Sequence, residues 1–306
     1  MRKGNYCDQR AGYLKLDDFV QFIEKNPSVK NIELSNSGEV FLNPDLLKII
    51  EYAFHHHICL TAQNGVNFNT VSDKMLEALV KFQFQSLTFS IDGASQEIYS
   101  KYRRNGNYDT VINNIRKLNE YKKQYNSNVP VLRWQYVLME TNDRKDEIRK
   151  AMQTAASLNA SIVFRYEWGG YISKNLEMIR ESGHITGIPT VNYRSYWTPC
   201  YQLWTQPQIN WDGRFYGCCV NASSDFGINI FETGLKQCLA SPVVKKTKKM
   251  LMGLGACHES PCYQCQIYEK MKKDEKYITP VEVGYSRFSL MSMAFNVLRA
   301  CLSLRK

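Results

Sequence analysis

Short apolar segments alternate with amphipathic segments from about residue 14 to residue 168. Five apolar segments have the length of buried strands, and the segments between them carry apolar residues three to four positions apart, as helices do. The predicted strands are 29–35, 57–62, 86–91, 131–139 and 162–166, and the predicted helices begin near Leu16, Asn43, Ser72, Tyr108 and Asp146. This alternation predicts right-handed βαβ units and a parallel sheet, and therefore an α/β fold.

The loops that follow the predicted strands share one edge of the sheet. In parallel sheets, ligands bind at this carboxyl edge. The four loops are 35–43, 62–67, 91–94 and 139–142. Two of them contain the turn-forming pairs Asn64-Gly65 and Asp92-Gly93, where we expect the preceding strands to end. The sequence thus predicts a ligand site at this edge.

The pattern changes near Ser182, where Gly, Pro, aromatic residues and cysteines become frequent. We predict a first domain of residues 1–180, a cysteine-rich domain of residues 181–275 and an amphipathic tail of residues 276–306. Within the tail, residues 288–303 predict a helix docked on the body. A helix lying on a membrane surface is the alternative, because several arginines flank it.

Composition indicates a folded protein rather than a disordered or fibrous one. The chain has 306 residues, of which 44% are hydrophobic and 22% charged. No apolar stretch reaches the ~20 residues that a membrane span needs. The start, Met1-Arg2-Lys3-Gly4-Asn5, is not followed by the apolar segment of a secretory signal. We therefore expect a cytoplasmic protein with no membrane span.

The formal net charge of +10 carries less information about function. Two lysine runs, 245–249 and 270–276, are typical of solvated helix faces. No interleaved aromatic residues or recognisable nucleic-acid module accompany them, so we expect no nucleic-acid partner. A nucleic-acid-binding zinc domain is an alternative that rests only on the charge and on the cysteines.

The cysteines are unevenly distributed, with seven of the 10 between Cys200 and Cys265. In a reducing compartment, clustered cysteines are more often metal ligands than disulfides. Cys262 and Cys265 form a CxxC pair, and Cys200 and Cys218 can supply the other half of a four-thiolate site. Residues 208–217 predict a hairpin with an Asp-Gly turn that ends at Cys218. Four thiolates suit either a structural zinc ion or an iron–sulfur cluster, and the sequence leaves both open.

Other ligand sets remain possible at this site. Cys219, which points to the opposite face of the strand from Cys218, is a reserve ligand, and His258 is a less plausible one. Four unrelated buried cysteines are the non-functional alternative. Cys238 and Cys301 lie in apolar helical surroundings and are predicted to be core residues.

Four segments occur in an order known from one enzyme family. They are the Ser35–Pro44 loop with Gly38-Glu39, the Thr61–Gly65 turn, the segment Phe89–Ala94 with Tyr99 and Tyr102-Arg103-Arg104 downstream, and Gly213-x4-Cys218 together with Cys200 and Cys262-x-x-Cys265. In these segments the chain resembles a radical S-adenosylmethionine (radical SAM) enzyme with an auxiliary-cluster domain of the SPASM or shorter twitch type. The resemblance covers residues 12–268.

The resemblance implies a fold and a set of site residues. The fold is a partial (β/α)6 TIM-like barrel lacking its first strand, followed by a small Cys-rich domain with a β-hairpin. The loop at Gly38 and Glu39 would receive the methionine amino group of S-adenosylmethionine. The remaining implied contacts are Ser90 and Arg103 to the methionine carboxylate, Asp92 and Asn64 to the ribose or adenosyl group, and Cys200, Cys218, Cys262 and Cys265 to an auxiliary [4Fe-4S] cluster.

The resemblance also implies a reaction. Such enzymes generate a 5′-deoxyadenosyl radical that abstracts hydrogen from a small-molecule substrate, such as a sugar-like alcohol, or from a peptide. A reducing donor of the flavodoxin or ferredoxin type supplies the electron, and the auxiliary cluster accepts an electron or holds its domain in place. The short set of four ligand cysteines favours a small molecule. Tyr166, Glu167 and Trp168, at the end of the last strand, would line the substrate site.

The chain departs from the family at its start. The family carries a Cys-x3-Cys-x2-Cys loop after its first strand, whereas Cys7 has no companion cysteines nearby. We hypothesise that the chain is truncated at its N-terminus, which the in-frame DNA upstream of Met1 can test. By itself the chain is not expected to cleave S-adenosylmethionine, and a second [4Fe-4S] cluster is expected only with the missing segment. The alternative is a non-catalytic iron–sulfur or zinc-binding module derived from this fold.

Overall fold

The computed structural model describes residues 12–36, 38–166, 171–181, 199–219 and 224–283. The chain divides into two compact units. The sheet unit comprises Leu14–Ile23 and Pro27–Asn192, and the cysteine unit comprises Met1–Tyr13, Glu24–Asn26 and Tyr193–Lys306. The division predicted at residue 180 and the separate tail from residue 276 stay predictions. The predicted tail helix and Cys301 lie outside the described residues.

Five parallel strands form the centre of the sheet unit, in the order β1-β2-β3-β4-β5. They are β1 (Asn31–Glu33), β2 (Cys59–Val66), β3 (Ser86–Ser90), β4 (Val131–Leu138) and β5 (Ser161–Tyr166). Each strand pairs with the strands next to it in sequence, which is the topology of consecutive βαβ units. The predicted α/β fold is confirmed, and the sheet is consistent with a partial TIM-like barrel.

Helices follow the strands as the apolar spacing predicts. They are α1 (Leu16–Lys25), α2 (Leu46–His55), α3 (Asp73–Lys81), α4 (Gln96–Tyr102), α5 (Tyr108–Gln124), α6 (Lys145–Ser157) and α7 (Leu176–Glu181). Ser72 caps α3 by accepting the Met75 N–H, as a polar residue before an apolar run predicts. Asn43 does not cap α2, which begins three residues later after Asp45. Helices α4 and α7 lie where no element was predicted.

The two faces of the sheet differ in polarity. Alternate residues on one face are fully buried beneath the helices, including Phe89, Trp134 and Phe164. Trp134 also donates its indole N–H to the Ile91 carbonyl just beyond β3, at 2.6 Å. The opposite face, which we call the open face, carries polar residues along the same strands because successive side chains alternate. Its members on the last three strands include Ser86, Ser90, Arg133, Gln135 and Arg165.

The prediction that β2 ends before a turn at Asn64-Gly65 is wrong. The strand continues to Val66, and its pairing with β3 shifts register between Ala62 and Val66. Gly65 sits inside this irregularity with a φ of +120°, which an L side chain rarely adopts. The glycine therefore permits a bulge in the strand, and the carboxyl end of β2 lies further along the chain than predicted.

The cysteine unit contains short helices and a hairpin. The helices are α8 (Gln202–Thr205), α9 (Ile230–Thr233), α10 (Leu235–Ala240), α11 (Pro242–Leu251) and α12 (Gln266–Lys273). An antiparallel bridge joins Ile209 to Phe215 across the Asp-Gly turn, so the predicted hairpin is present. The lysine runs 245–249 and 270–276 lie on α11 and on the last turn of α12 and just beyond it, as the prediction of solvated helix faces expects. Cys238 is 1% exposed, as expected of a core residue.

Candidate functional site

A buried ion pair lies at the carboxyl edge of the sheet. Arg103, just after α4, donates from Nε to Asp92 Oδ2 at 2.9 Å, and its Nη2 lies 2.9 Å from the same oxygen. The Asp92 side chain is fully buried, whereas that of Arg103 is 37% exposed. Asp92 Oδ1 accepts the Val137 N–H at 3.0 Å. The carboxylate thus fixes the guanidinium while leaving N–H groups of Arg103 for a ligand.

The loop that carries Asp92 is held from both sides. Asn142 Nδ2 donates to the Asp92 carbonyl at 3.1 Å and to the Val137 carbonyl at 2.8 Å. Glu147, buried at the start of α6, accepts the Ala94 N–H. Burial raises the pKa of Asp92, and the charge of Arg103 opposes this rise. The loop after β3 is therefore a rigid support for Arg103.

Glu39 lies in the loop after β1 and binds two backbone N–H groups. Its Oε1 accepts from Phe41 at 3.2 Å and its Oε2 from Asn67 at 2.8 Å. Burial raises the pKa of Glu39, while these hydrogen bonds and the charge of Arg103 lower it. Gly38 has a φ of +77° and open space where a Cβ would lie. The two residues thus present an acidic group beside an open stretch of backbone.

Ser90 ends β3 between two neighbours on the open face. Its hydroxyl lies 3.5 Å from Gln135 Nε2 on β4. On its other side is Gly65, where a Cβ would stand 2.6 Å from Ser90 Oγ. The bulge in β2 therefore brings backbone close to the Ser90 hydroxyl, and only glycine leaves that hydroxyl in place.

Asn64 occupies the adjacent end of β2. Its N–H donates to Ser35 Oγ at 3.0 Å, and its Nδ2 lies 3.4 Å from Asn36 Oδ1. Ser35 in turn is bound to Glu33, which also accepts from residues of β2. Asn64 is thus tied to the loop after β1. Gly38, Glu39, Asn64, Ser90, Asp92 and Arg103 all lie at the carboxyl edge of the sheet, where the sequence analysis expected a ligand.

The four predicted ligand cysteines lie in the cysteine unit. Cys262 and Cys265 form a tight turn in which the Cys265 N–H donates to the Cys262 carbonyl at 3.1 Å. Helix α12 begins directly after Cys265, and Cys200 precedes α8. Cys218 is buried and Cys219 is exposed, although both lie in a bend and not in the predicted strand.

The thiols influence one another electrostatically. Burial raises the pKa of Cys200 to about 11, and charges on Cys265 and Cys219 contribute to the rise. Burial also raises the pKa of Cys262, with contributions from Cys218, Cys200 and Cys265. Within the described parts of the chain, no three His, Cys, Asp or Glu side chains surround a single metal-ion position.

Several residues that support the carboxyl edge of the sheet could not be recognised from the sequence. Asn142 lay in a predicted edge loop, but nothing in the sequence indicated that it supports Asp92. Glu147 had only the signature of an acidic residue in the first turn of a helix. Cys7, Glu167 and Trp168 lie outside the described residues, and Tyr166, at the end of β5, is partly exposed.

No protein-family model matches the chain, and neither does any curated protein. In the part of the chain that the structure describes, none of the helices is both long and apolar enough to cross a membrane.

Among solved structures, the chain is similar to the crystal structure of Streptococcus suis SuiB, with a TM-score of 0.58 and 13% sequence identity. The match covers 79% of this chain and 64% of SuiB. Methylornithine synthase (PylB) also matches, at 9% identity over 47% of this chain and 42% of that chain, but its TM-score of 0.35 establishes no common fold. The likeness to SuiB shows the fold of this chain.

Proposed function

We propose that the chain is a radical SAM enzyme that binds S-adenosylmethionine at the carboxyl edge of its sheet. The Asp92–Arg103 pair carries the proposal, because it fixes a partly exposed guanidinium where the resemblance requires a carboxylate-binding group. The fold that the chain shares with SuiB is compatible with the fold that the resemblance implies. The chain spans 64% of SuiB, so the activity of the complete protein belongs to this proposal.

The residues at the edge fit the amino-acid end of S-adenosylmethionine. Arg103 would pair with the methionine carboxylate, with Ser90 donating its hydroxyl beside it. Glu39 and the open backbone at Gly38 would accept the methionine ammonium. When bound, the cofactor supplies the 5′-deoxyadenosyl group whose radical abstracts hydrogen from the substrate.

Two further residues have supporting roles in the proposal. Asp92 holds Arg103 in place, since Oδ2 binds the guanidinium and Oδ1 binds backbone. Asn64 would contact the ribose or adenosyl group from the end of β2. A contact between Asp92 and the ribose stays a prediction.

Cys200, Cys218, Cys262 and Cys265 would hold an auxiliary [4Fe-4S] cluster in a SPASM or twitch-type domain. A single zinc ion draws four thiolates to within ~2.3 Å of one point. Each thiolate of a cluster binds a different iron, so the ligands stand further apart. The tight Cys262–Cys265 turn and the electrostatic influence of Cys200, Cys218 and Cys265 on Cys262 support a site shared by the four thiols.

The substrate would be a small molecule, such as a sugar-like alcohol, or a peptide. A reductant of the flavodoxin or ferredoxin type would supply electrons, and the protein would work in the cytoplasm. The SAM-binding cluster would need a Cys-x3-Cys-x2-Cys segment, a motif that does not occur in residues 1–306.

Calorimetric titration of the full chain with S-adenosylmethionine and, separately, with 5′-methylthioadenosine tests the proposal. One S-adenosylmethionine should bind per chain, at least tenfold more tightly than 5′-methylthioadenosine, which lacks the amino-acid group that Glu39 and Arg103 bind. Equal affinities would contradict the assigned contacts. No binding by a chain that takes up iron would instead favour the non-catalytic module.

A further inference from the structure

The polar groups of the open face are satisfied on one half of the sheet. Glu33 on β1 accepts from the Thr61 hydroxyl of β2 at 2.6 Å. Gln63 Nε2 donates to Ser86 Oγ of β3 at 3.1 Å. These side chains therefore hydrogen-bond to one another across the first three strands, and they need no ligand to do so.

The other half of the open face is different. Gln135 Oε1 is buried and has no hydrogen-bond partner. Its Nε2 lies 3.5 Å from Ser90 Oγ. If the amide were rotated by 180°, Oε1 would face Ser90 and Nε2 would be the atom without a partner. A buried amide atom without a partner is destabilising, because it has lost its hydrogen bonds to water. A ligand that hydrogen-bonds to Gln135 would remove that cost.

Arg165 lies on the same face, one strand further along. It pairs in register with Val137 on β4, and neighbouring strands lie ~4.8 Å apart. The Val137 N–H binds Asp92, so Arg165 lies one strand away from a residue that contacts the Asp92–Arg103 pair. Among the described residues, none of the ion pairs involves Arg165 or Arg133. Arg165 is partly buried, whereas Arg133 is exposed near the amino end of β4.

We propose that Arg165 and Gln135 form the substrate subsite, and that the substrate carries a carboxylate. Arg165 would pair with the carboxylate, and the Gln135 amide would hydrogen-bond to a polar group next to it. This deepens the proposed function, on which it rests, by naming the substrate class. Arginine suits the task because its planar guanidinium matches the two oxygens of a carboxylate and stays charged at every physiological pH.

The location separates this subsite from the one assigned to S-adenosylmethionine. Arg103 is already bound to Asp92 and lies beyond the end of β3, whereas Arg165 lies on β5. A substrate carboxylate on Arg165 would place the rest of the molecule over Gln135, beside Ser90, where the methionine end of the cofactor is assigned.

The test is a ligand-observed NMR titration of the full chain with N-acetylglycine, which combines a carboxylate with an amide. N-acetylglycinamide is the uncharged control ligand and methyl phosphate the competing anion. Arg165→Gln is the test variant, and Arg133→Gln is its matched control, because it removes the same charge from the same face ~13 Å further along the sheet. Arg103→Gln reports binding at the other arginine.

N-acetylglycine should bind the unmodified chain at least tenfold more tightly than N-acetylglycinamide does. Its affinity should fall at least tenfold in Arg165→Gln and change less than twofold in Arg133→Gln. The proposal is overturned if no binding occurs, if Arg103→Gln abolishes it while Arg165→Gln does not, or if methyl phosphate binds more tightly. None of these results requires S-adenosylmethionine, so the proposed function would still stand if titration with S-adenosylmethionine succeeds.

Discussion

Arg103 Nε and Nη2 both lie 2.9 Å from a single oxygen of Asp92, Oδ2. The other carboxylate oxygen is bound to the backbone of β4, so the carboxylate connects Arg103 to the centre of the sheet. A long side chain held in this way loses its rotamer freedom during folding rather than during ligand binding. Arg103 is therefore positioned before any ligand arrives.

Asp92→Asn should lower the free energy of unfolding by about 2–4 kcal/mol, because one partner of a largely buried ion pair is removed. The amide could keep a single acceptor, so either Arg103 or the Val137 N–H would lose its hydrogen bond. Urea denaturation at neutral pH measures the change. Asp109→Asn, at an exposed position in the first turn of α5, is the control and should cost less than about 1 kcal/mol. Equal losses in the two variants would contradict the account.

Gly65→Ala should be more destabilising than Gly38→Ala. Both glycines have positive φ, which costs an alanine roughly 1–2 kcal/mol. At Gly65 the added Cβ would also stand 2.6 Å from Ser90 Oγ, whereas at Gly38 it meets nothing within 4 Å. Because the Ser90 hydroxyl has to rotate away from its present position, we expect an additional loss of about 0.5–1.5 kcal/mol for Gly65→Ala in urea denaturation. Similar losses would show that β2 and Ser90 do not approach each other as described.

Glu39 should make the stability of the chain depend on pH. Burial raises its folded-state pKa above the ordinary value of 4.5. The unfolded chain therefore releases this proton at a lower pH than the folded chain does, and the stability contributed by Glu39 falls as pH rises through that window. The unfolding free energy of the unmodified chain, relative to Glu39→Gln, should be lower at pH 7 than at pH 4.

If the unmodified chain instead becomes more stable relative to Glu39→Gln as the pH rises from 4 to 7, the folded state lowers the pKa of Glu39, which would contradict the prediction.

The cysteine unit should take up iron through four particular thiols. After anaerobic reconstitution with iron and sulfide, the chain should hold about four iron atoms, the content of one [4Fe-4S] cluster. Cys218→Ser should lose most of this iron, whereas Cys219→Ser, one residue away and exposed, should retain it. Iron loss in Cys219→Ser but not in Cys218→Ser would show that Cys219, and not Cys218, is the ligand. Uptake of a single zinc ion instead of iron would contradict the assignment of an iron–sulfur cluster.

The strand–helix order could be predicted from sequence because it depends on local apolar spacing. Strand β3 ends within one residue of its predicted end, and helix α5 begins at Tyr108, as predicted. The predicted end of β2 was wrong, because Asn64-Gly65 has the local sequence signature of a turn. What keeps these residues in the strand is pairing with β3 across a bulge, which is a non-local effect.

The site was predicted more fully in its residue types than in its contacts. Ser90, Asp92 and Arg103 were identified by resemblance, but the direction of each side chain depends on neighbours distant in sequence. Asn142, for example, binds the Asp92 carbonyl from 50 positions away. Gln135 and Arg165 carry no motif at all. Only the register of β3, β4 and β5 brings them to the same face as Ser90.

The affinity of S-adenosylmethionine for Arg103→Gln and Arg104→Gln tests the central claim most directly. Both variants remove one positive charge, but Arg104 is exposed and has no ion pair among the described residues. At a temperature where circular dichroism shows both to be folded, the dissociation constant should rise at least tenfold in Arg103→Gln and less than twofold in Arg104→Gln. Equal dissociation constants in the two variants would contradict a cofactor site at the carboxyl edge of the sheet.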